Sequence, residues 1–468
     1  MRIPAMLRRS LAALAFVAAA CDTTVTNPGP VPDDGLNTPL AYNAIVIGAR
    51  LQLARAYGSD AGNGGQLAYW GAVLAFEINP AGSTGSFGIP TLVQTGVMTP
   101  GMSSDDWTAA NLARFVAEDG LRRFAANSGN PLTAPKPNQI AEAAVYAGYA
   151  NRLLGENFCE AVIPVTNGDG SLSPGFLSPH TDYFTRAETH FTRALTAAAL
   201  ATGSDTVRAK QLRDAAWAGR ASVHADLASY GLGTWASATA DAALITSNTM
   251  TFQLPFSAQD QFQYNYIYWA RGNAPYRAHT QWGTFYEGYF RASKAFVPAG
   301  DVRARWDTTA LTGDAAVSKF GGRVPFWPEA KLSAQSSPIN LSSGWEMRLI
   351  EAEAALAGTD VATAVARMNL RRTNLGLPTY SAAISVDSAW TLLKLERGLE
   401  LWLEARRLGD LHRWIVNSVP GTAQDGLYRA STTDFLHTTP IETMTVPAGR
   451  SLCFPVGQNE RDTNPNIP

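Results

Sequence analysis

The stretch from Trp345 to Trp414 constrains the chain most, because it reads as three helices in succession. In the first, Trp345, Leu349, Ala352 and Leu356 fall on one stripe, widened by Met347 and Ile350, so this helix is largely buried. Gly358 closes it as a left-handed cap, and Thr359 or Asp360 caps a second helix on which Val361, Ala364, Val365 and Met368 recur at helical spacing. The two form a tight helical hairpin. Gly376 and Pro378 break the pattern, and a third helix starts at Asp387 or Ser388 with Leu392, Leu395, Leu399 and Trp402 on its apolar side.

The polar side of the third helix is the informative one. Glu396, Glu400 and Glu404 stand at i, i+4 and i+8, a stacking of like charges that weakens an isolated helix by ~0.2–0.5 kcal/mol per pair. Cations must lie close by. Arg397 and Arg407 are available from the same helix, Arg371 and Arg372 from the end of the preceding one, and Arg413 from beyond Asp410. The expected arrangement is a Glu/Arg network locking the three helices together through bidentate guanidinium–carboxylate contacts. The sharper alternative is a catalytic carboxylate pair of the glycosidase kind. Two glutamates on adjacent turns of one amphipathic, arginine-rich helix favour the structural network.

These residues resemble a known family. Met347-Arg348-Leu349-Ile350-Glu351-Ala352-Glu353-Ala354, Asn369-Leu370-Arg371-Arg372, Glu396-Arg397-Gly398-Leu399-Glu400-Leu401-Trp402-Leu403-Glu404 and Asp410-Leu411-His412-Arg413-Trp414 are similar to the C-terminal signature of SusD/RagB-like lipoproteins. Leu452-Cys453-Phe454-Pro455-Val456 with Glu460 and Asn464-Pro465-Asn466 resembles the family's terminal segment, while Ala405 stands where the family often has Gly. The resemblance implies a mostly α fold. Irregular tetratricopeptide-like repeats would form a spine (about 38–250 and 345–414), beside a loop-rich ligand-face subdomain with minor β structure (about 251–344) and a C-terminal segment (415–468). It further implies a cell-surface protein that binds an oligomeric nutrient, glycan or peptide. Such a protein forms a lid over a SusC-like TonB-dependent outer-membrane transporter, with no enzymatic activity and no cofactor.

The rest of the chain fits a globular, surface-tethered body. Of the 468 residues, 46% are apolar and 16% charged, which describes a folded chain, and a net charge of -2 gives no electrostatic reason for nucleic acid as a partner. Arg2, Arg8 and Arg9 precede a short apolar run, Leu11 to Ala20, too short to cross a bilayer and shaped like a secretory leader over residues 1–20. Ala18-Ala19-Ala20-Cys21 resembles a bacterial lipobox, making Cys21 the lipidation site and the membrane a partner through that lipid; an ordinary leader with Cys21 incidental is the alternative. Residues 21–37, with Pro28, Pro30 and Pro32, have the composition of an extended tether before a single body at 38–468. Cys159 and Cys453 remain, as one disulfide or as two separate buried thiols.

Along the body, Leu40, Ala44, Ile47, Leu51 and Ala54 mark one helix face, and further helices are expected over Gln66–Ile78, Asp105–Phe124, Gln139–Leu154, Tyr183–Ala199, Gln211–Tyr230 and Trp235–Ile245. Asn167-Gly168-Asp169-Gly170-Ser171 looks like part of a calcium loop but lacks the distal Glu, and a plain turn is favoured. Between Phe262 and Phe290 there are eleven aromatic residues. Tyr264, Tyr266 and Tyr268 alternate, which on a strand points three rings to one face; with Trp269 and Trp282 they can stack on a ligand that Arg271, Asn273 and Gln281 orient. The competing reading packs these rings into a core or an interface. Trp306, Phe326 and Trp327 are weaker ligand candidates. The six histidines show no metal-ligand spacing, and neither a nucleophile elbow nor a phosphate-binding loop occurs. Two rivals remain, a repeat-containing scaffold lipoprotein and a secreted glycoside hydrolase.

Overall fold

The computed structural model describes residues 33–58, 65–81, 89–94, 96–167, 171–272, 277–284, 286, 301–307, 309, 325–423, 432–433, 440–441 and 449–467. The leader, Cys21, the tether up to residue 32 and Asn273 lie outside the described residues.

Helix α1 (Pro39–Gly58) carries two apolar stripes, and the one expected inside is largely not the one buried. Leu40 is 95% and Ile47 53% exposed, while Tyr42, Val46, Ala49, Leu53 and Tyr57 face the core. The aromatic stripe wins because a ring partner waits for it: Tyr42 meets Phe124 edge-on at 5.1 Å. Helices α2 (Leu67–Leu74), α3 (Pro100–Ala126), α4 (Pro137–Asn157), α5 (Thr181–Ala198), α6 (Thr206–Ser229) and α7 (Trp235–Ala243) continue the spine. Thr99 caps α3 by accepting the Met102 N–H, with Pro100 in its first turn. Helix α3 packs on α1, and then α4 on α3, α5 on α4, α6 on α5 and α7 on α6.

Small residues set the spacing of that stack. A Cβ at Gly148 of α4 would fall 2.6 Å from the Phe191 ring of α5, and one at Gly219 of α6 only 2.3 Å from it. The phenyl group is therefore held between two bare backbones, with Tyr149 edge-on at 5.0 Å.

After a short helix α8 (Tyr266–Gly272), the hairpin seen in the sequence forms as α9 (Gly344–Ala357) and α10 (Val361–Asn374). Asp360 is the cap of α10, accepting the Thr363 N–H at 3.0 Å. Gly358 stays at φ -88°, and the left-handed turn falls on Thr359 at φ 63°. Helix α11 spans Val386–Glu400, capped by Ser385, one residue before the expected start. It stops sooner than expected: Leu403 and Ala405 take φ 60° and 59°, so Trp402 and Glu404 sit in a turn before α12 (Arg407–Val416). Ala405 thus occupies a left-handed position that a glycine would hold without strain. Helix α9 also packs on α7 and α11, which joins the two parts of the spine.

Among the described residues the sheets are five antiparallel pairs. The longest joins Thr251–Leu254 to Ile339–Ser343 with a bulge at Phe252/Gln253. The C-terminal segment returns to the first half of the spine. Cys159 and Cys453 are bridged by a disulfide, Phe158 pairs with Phe454, and Ser103 Oγ donates to Pro455 O at 2.7 Å. A short helix α13 (Gln458–Thr463) then brings Glu460 to accept the Trp107 indole N–H at 3.2 Å, and Asn464 donates to Gly175 O. No described helix is long and apolar enough to cross a membrane.

Gly219→Ala is expected to lower stability by ~1–3 kcal/mol through overpacking against Phe191. Gly101→Ala, whose Cβ would meet nothing within 4 Å, is expected to leave it nearly unchanged in urea unfolding.

Candidate ligand face and its ionic support

The carboxylates of α11 are buried and clasped from two sides. Glu396 is fully buried; its Oε1 accepts Arg372 Nη1 at 2.9 Å and the Tyr380 hydroxyl at 2.7 Å, and its Oε2 accepts Arg303 Nη1 at 2.7 Å. Glu400 accepts Arg371 Nε at 2.9 Å and Arg303 Nη1 at 3.3 Å. Arg303 is the piece that sequence reasoning missed. It stands in a single turn, Val302–Ala304, far away in sequence, and its other guanidinium edge grips Asp301 at 2.7 and 3.0 Å. Burial pulls the Arg303 pKa down, but Glu396 and Asp301 outweigh it and hold it well above the ordinary value. Three guanidiniums thus meet three carboxylates, and α11 is tied both to α10 and to the loop layer.

The remaining predicted partners divide differently. Arg397 forms a bidentate pair with Asp410 at 2.9 and 3.0 Å, and Arg413 one with Glu353 at 2.6 and 2.9 Å, so these two arginines lock α11 and α12 to α9. Arg406 joins Glu346 at 2.6 Å and Glu156 at 3.0 Å, reaching α9 and α4. Glu404, off the helix, takes no arginine among the described residues; Lys331 Nζ at 2.9 Å and Asn340 Nδ2 at 2.8 Å serve it. Arg407 is buried, donates to Ala423 O, and lies outside the Glu396–Glu400 group.

On this support sits the aromatic layer. The alternation of Tyr264, Tyr266 and Tyr268 does not make a strand, because Asn265 starts a helix: its carbonyl accepts Trp269 N–H at 3.0 Å and its side chain faces the Tyr268 N–H. The rings therefore fan out instead of sharing a face. Tyr266 is buried, edge-on to Tyr69 at 5.1 Å, whereas Tyr264, Tyr268 and Trp269 are half-buried. Arg271 lies 4.5 Å over the Tyr268 ring and donates to Glu329 O. Trp282 is buried, its carbonyl accepting Asn79 Nδ2 at 3.0 Å, and Gln281 is buried beside it. Trp306 stacks on half-buried Trp327 at 5.2 Å in a strip where residues 305–307 bond to 328–330. Arg303 and Lys331 flank that strip, so the α11 carboxylates and Glu404 anchor it directly. Among the described residues no group of three metal-ligating side chains occurs; Asn167 N–H donates to Ser171 O at 2.8 Å and Asn167 Nδ2 to Ser171 Oγ at 2.9 Å, while Gly168, Asp169 and Gly170 lie outside the described residues.

Residues 206–468 match the model of the SusD family. The chain belongs to the SusD family. No curated protein matches it. Among solved structures, a SusD superfamily protein from Parabacteroides distasonis is similar at TM-score 0.64 and 13% identity, covering 92% of this chain and 98% of that one. Surface glycan-binding protein A from Bacteroides uniformis matches at TM-score 0.61 and 14% identity, over 92% and 99%. A laminarin-binding SusD-like protein matches at TM-score 0.54 and 16% identity, over 92% and 98%. At these identities the likeness is one of fold, and it extends the SusD architecture over the helices before residue 206.

Titration of this framework runs in two opposed senses. Burial raises Asp410, but Arg397 and Arg413 outweigh it and bring it to about 2; Glu353 and Asp301 are likewise held below their ordinary values against burial, by Arg413 and Arg303 respectively. Their stabilisation is present above the unfolded carboxylate values and lost as pH falls through the folded ones. Burial pushes Glu77 up to about 7 and Asp106 up to about 8. For these two, stability is full below the unfolded value of about 4 and is lost as pH rises to 7 and 8. The melting temperature is expected to peak in mild acid, fall steeply towards pH 2 and decline towards pH 8. In Asp106→Asn, whose side-chain oxygen still accepts the Gln66 N–H, the alkaline decline is expected to shrink; an unchanged decline would contradict the assignment.

Proposed function

We propose that this SusD-family chain is a lipid-anchored protein of the outer cell surface that captures an oligomeric nutrient, a glycan or else a peptide, and acts as lid for a SusC-like TonB-dependent transporter. Family membership supports glycan capture, and two proteins of similar fold are described as binding glycan or laminarin. The observation that carries the reading is the run of half-buried rings at and before the start of α8, Tyr264, Tyr268 and Trp269 with Arg271 over Tyr268, beside a strip clamped to the spine by Arg303 and Lys331. Rings of this kind offer flat apolar faces to the faces of sugar rings, and guanidinium and amide groups fix the hydroxyls. Asn273, Trp282 and Gln281 belong to the same proposal, Trp282 and Gln281 from buried positions. Cys21 would carry the lipid, and the proline-rich segment after it would hold the body off the membrane. The role is binding and gating: ligand is held between lid and barrel, and hinged opening exchanges it with solvent. No residue of this chain is assigned a catalytic step.

The test pairs a glycan and peptide array with detergent extraction of native membranes. An outer-membrane barrel is expected to co-purify with the chain. Tyr268→Ala and Trp269→Ala are each expected to weaken the ligand found on the array about tenfold, or ~1.4 kcal/mol, with the melting temperature retained. A blank array together with an unaccompanied chain would contradict the proposal.

A further inference from the structure

A second cleft lies away from the aromatic layer, between α3 and α5, and its chemistry is that of an anion site. This open cleft has a volume of about 540 Å³ and is lined by five arginines and His190 against three carboxylates, a volume within the range of small-ligand pockets, ~300–1,000 Å³. The carboxylates are already occupied. Glu118 on the floor accepts Arg114 at 2.8 Å, Arg186 at 2.7 Å and Asn151 at 3.0 Å, with His190 Nε2 at 3.1 Å. Asp119 holds Arg122 at 2.5 Å and Arg123 at 2.6 Å.

Arg193 is left over. Its one described bond donates from Nη2 to Leu121 O at 3.0 Å, and among the described residues it meets no carboxylate. Half-burial pulls its pKa down with nothing opposing, so the charge is desolvated and uncompensated. Beside it the ring of Phe115 is 42% and Leu172 48% exposed, giving the cleft an apolar wall next to its guanidiniums. The chain itself demonstrates the preference: Asp33, with its side chain 80% exposed, places a carboxylate on Arg123 at 2.5 Å at one end of the cleft.

We infer that this cleft binds an acidic sugar unit, its carboxylate or sulfate held by Arg193 and Arg186 and its ring laid against Phe115. A concave cleft of this volume favours a small ligand over a protein surface, which would need a broad face. Arginine provides the fork for either anion, and the exposed aromatic ring favours a sugar over a bare inorganic ion. The site is separate from the aromatic layer, so the chain would grip an acidic glycan at two places or distinguish it from a neutral one.

Isothermal titration with a galacturonate tetrasaccharide, a sulfated chondroitin tetrasaccharide and neutral laminaritetraose tests this. At least one acidic tetrasaccharide is expected to bind the full chain with affinity falling as salt rises. Arg193→Ala is expected to weaken that binding at least tenfold. Because Arg193 also bonds the α3 backbone, Phe115→Ser, at an exposed position, serves as the second variant and is expected to weaken it several-fold with folding intact. Binding of the galacturonate alone identifies a site selective for galacturonate, binding of both acids a general uronate site, and binding of the chondroitin alone a site that requires sulfate. No binding of either acid, or binding unaltered in both variants, overturns the inference. Neutral-glycan capture at the aromatic face is read by Tyr268→Ala and Trp269→Ala and succeeds or fails independently.

Discussion

The fold depends on one electrostatic constraint: Glu396 and Glu400 are stacked on the last turns of α11, where Glu396 to Leu399 are buried. A carboxylate taken out of water costs several kcal/mol unless it is paired and hydrogen-bonded. Here Glu396 is saturated by two guanidiniums and a phenol, and Glu400 by two guanidiniums. Those four donors come from three places: Arg371 and Arg372 from α10, Tyr380 from the loop after it, Arg303 from the loop layer. Removing any one of the three leaves a buried carboxylate short of a partner. The charge that would be a liability on an isolated helix becomes the reason these segments are found together.

That arrangement has a consequence for binding. A loop-rich layer has few backbone ladders of its own, as the short strand pairs show, and without support its rings would sample many positions. Arg303 and Lys331 nail the strip carrying Trp306 and Trp327 to the α11 carboxylates and the turn that follows them. Arg271, through Glu329, ties the end of α8 to the same strip. Rings held in this way lose little further freedom when a ligand stacks on them, and preorganisation of that kind is what converts modest contact area into affinity.

How much of this was legible depended on whether the determining partner lay nearby in the chain. The α9–α10 hairpin and its Asp360 cap follow from local periodicity and were readable, as were most of the spine helices. The buried face of α1 was not, because its two apolar stripes are locally equivalent and Phe124 of α3 decides between them. Tyr264, Tyr266 and Tyr268 satisfied a strand period, yet Asn265 between them was the cap signal that pointed to a helix. Arg371 and Arg372 were readable as partners of Glu396 and Glu400 because they end the preceding helix. Arg303, Arg406 and Lys331 were not, since no pattern links them to carboxylates that lie far off in sequence or across the fold. The end of α11 at Glu400 was hidden for the opposite reason: Trp402 and Glu404 keep the helical period, while Leu403 and Ala405 adopt left-handed backbone that their side chains do not advertise.

The most direct test of the clasp is a double-mutant cycle between Arg303 and Glu396, using Arg303→Met, Glu396→Gln and the pair, followed by urea unfolding. If the carboxylate needs the loop-layer guanidinium as well as Arg372 and Tyr380, each single change leaves a buried charge short of a partner, at a cost towards the lower end of ~3–5 kcal/mol. The double change is then predicted to be milder than the sum by ~2 kcal/mol or more. Additive effects, with a coupling below ~0.5 kcal/mol, would contradict the account.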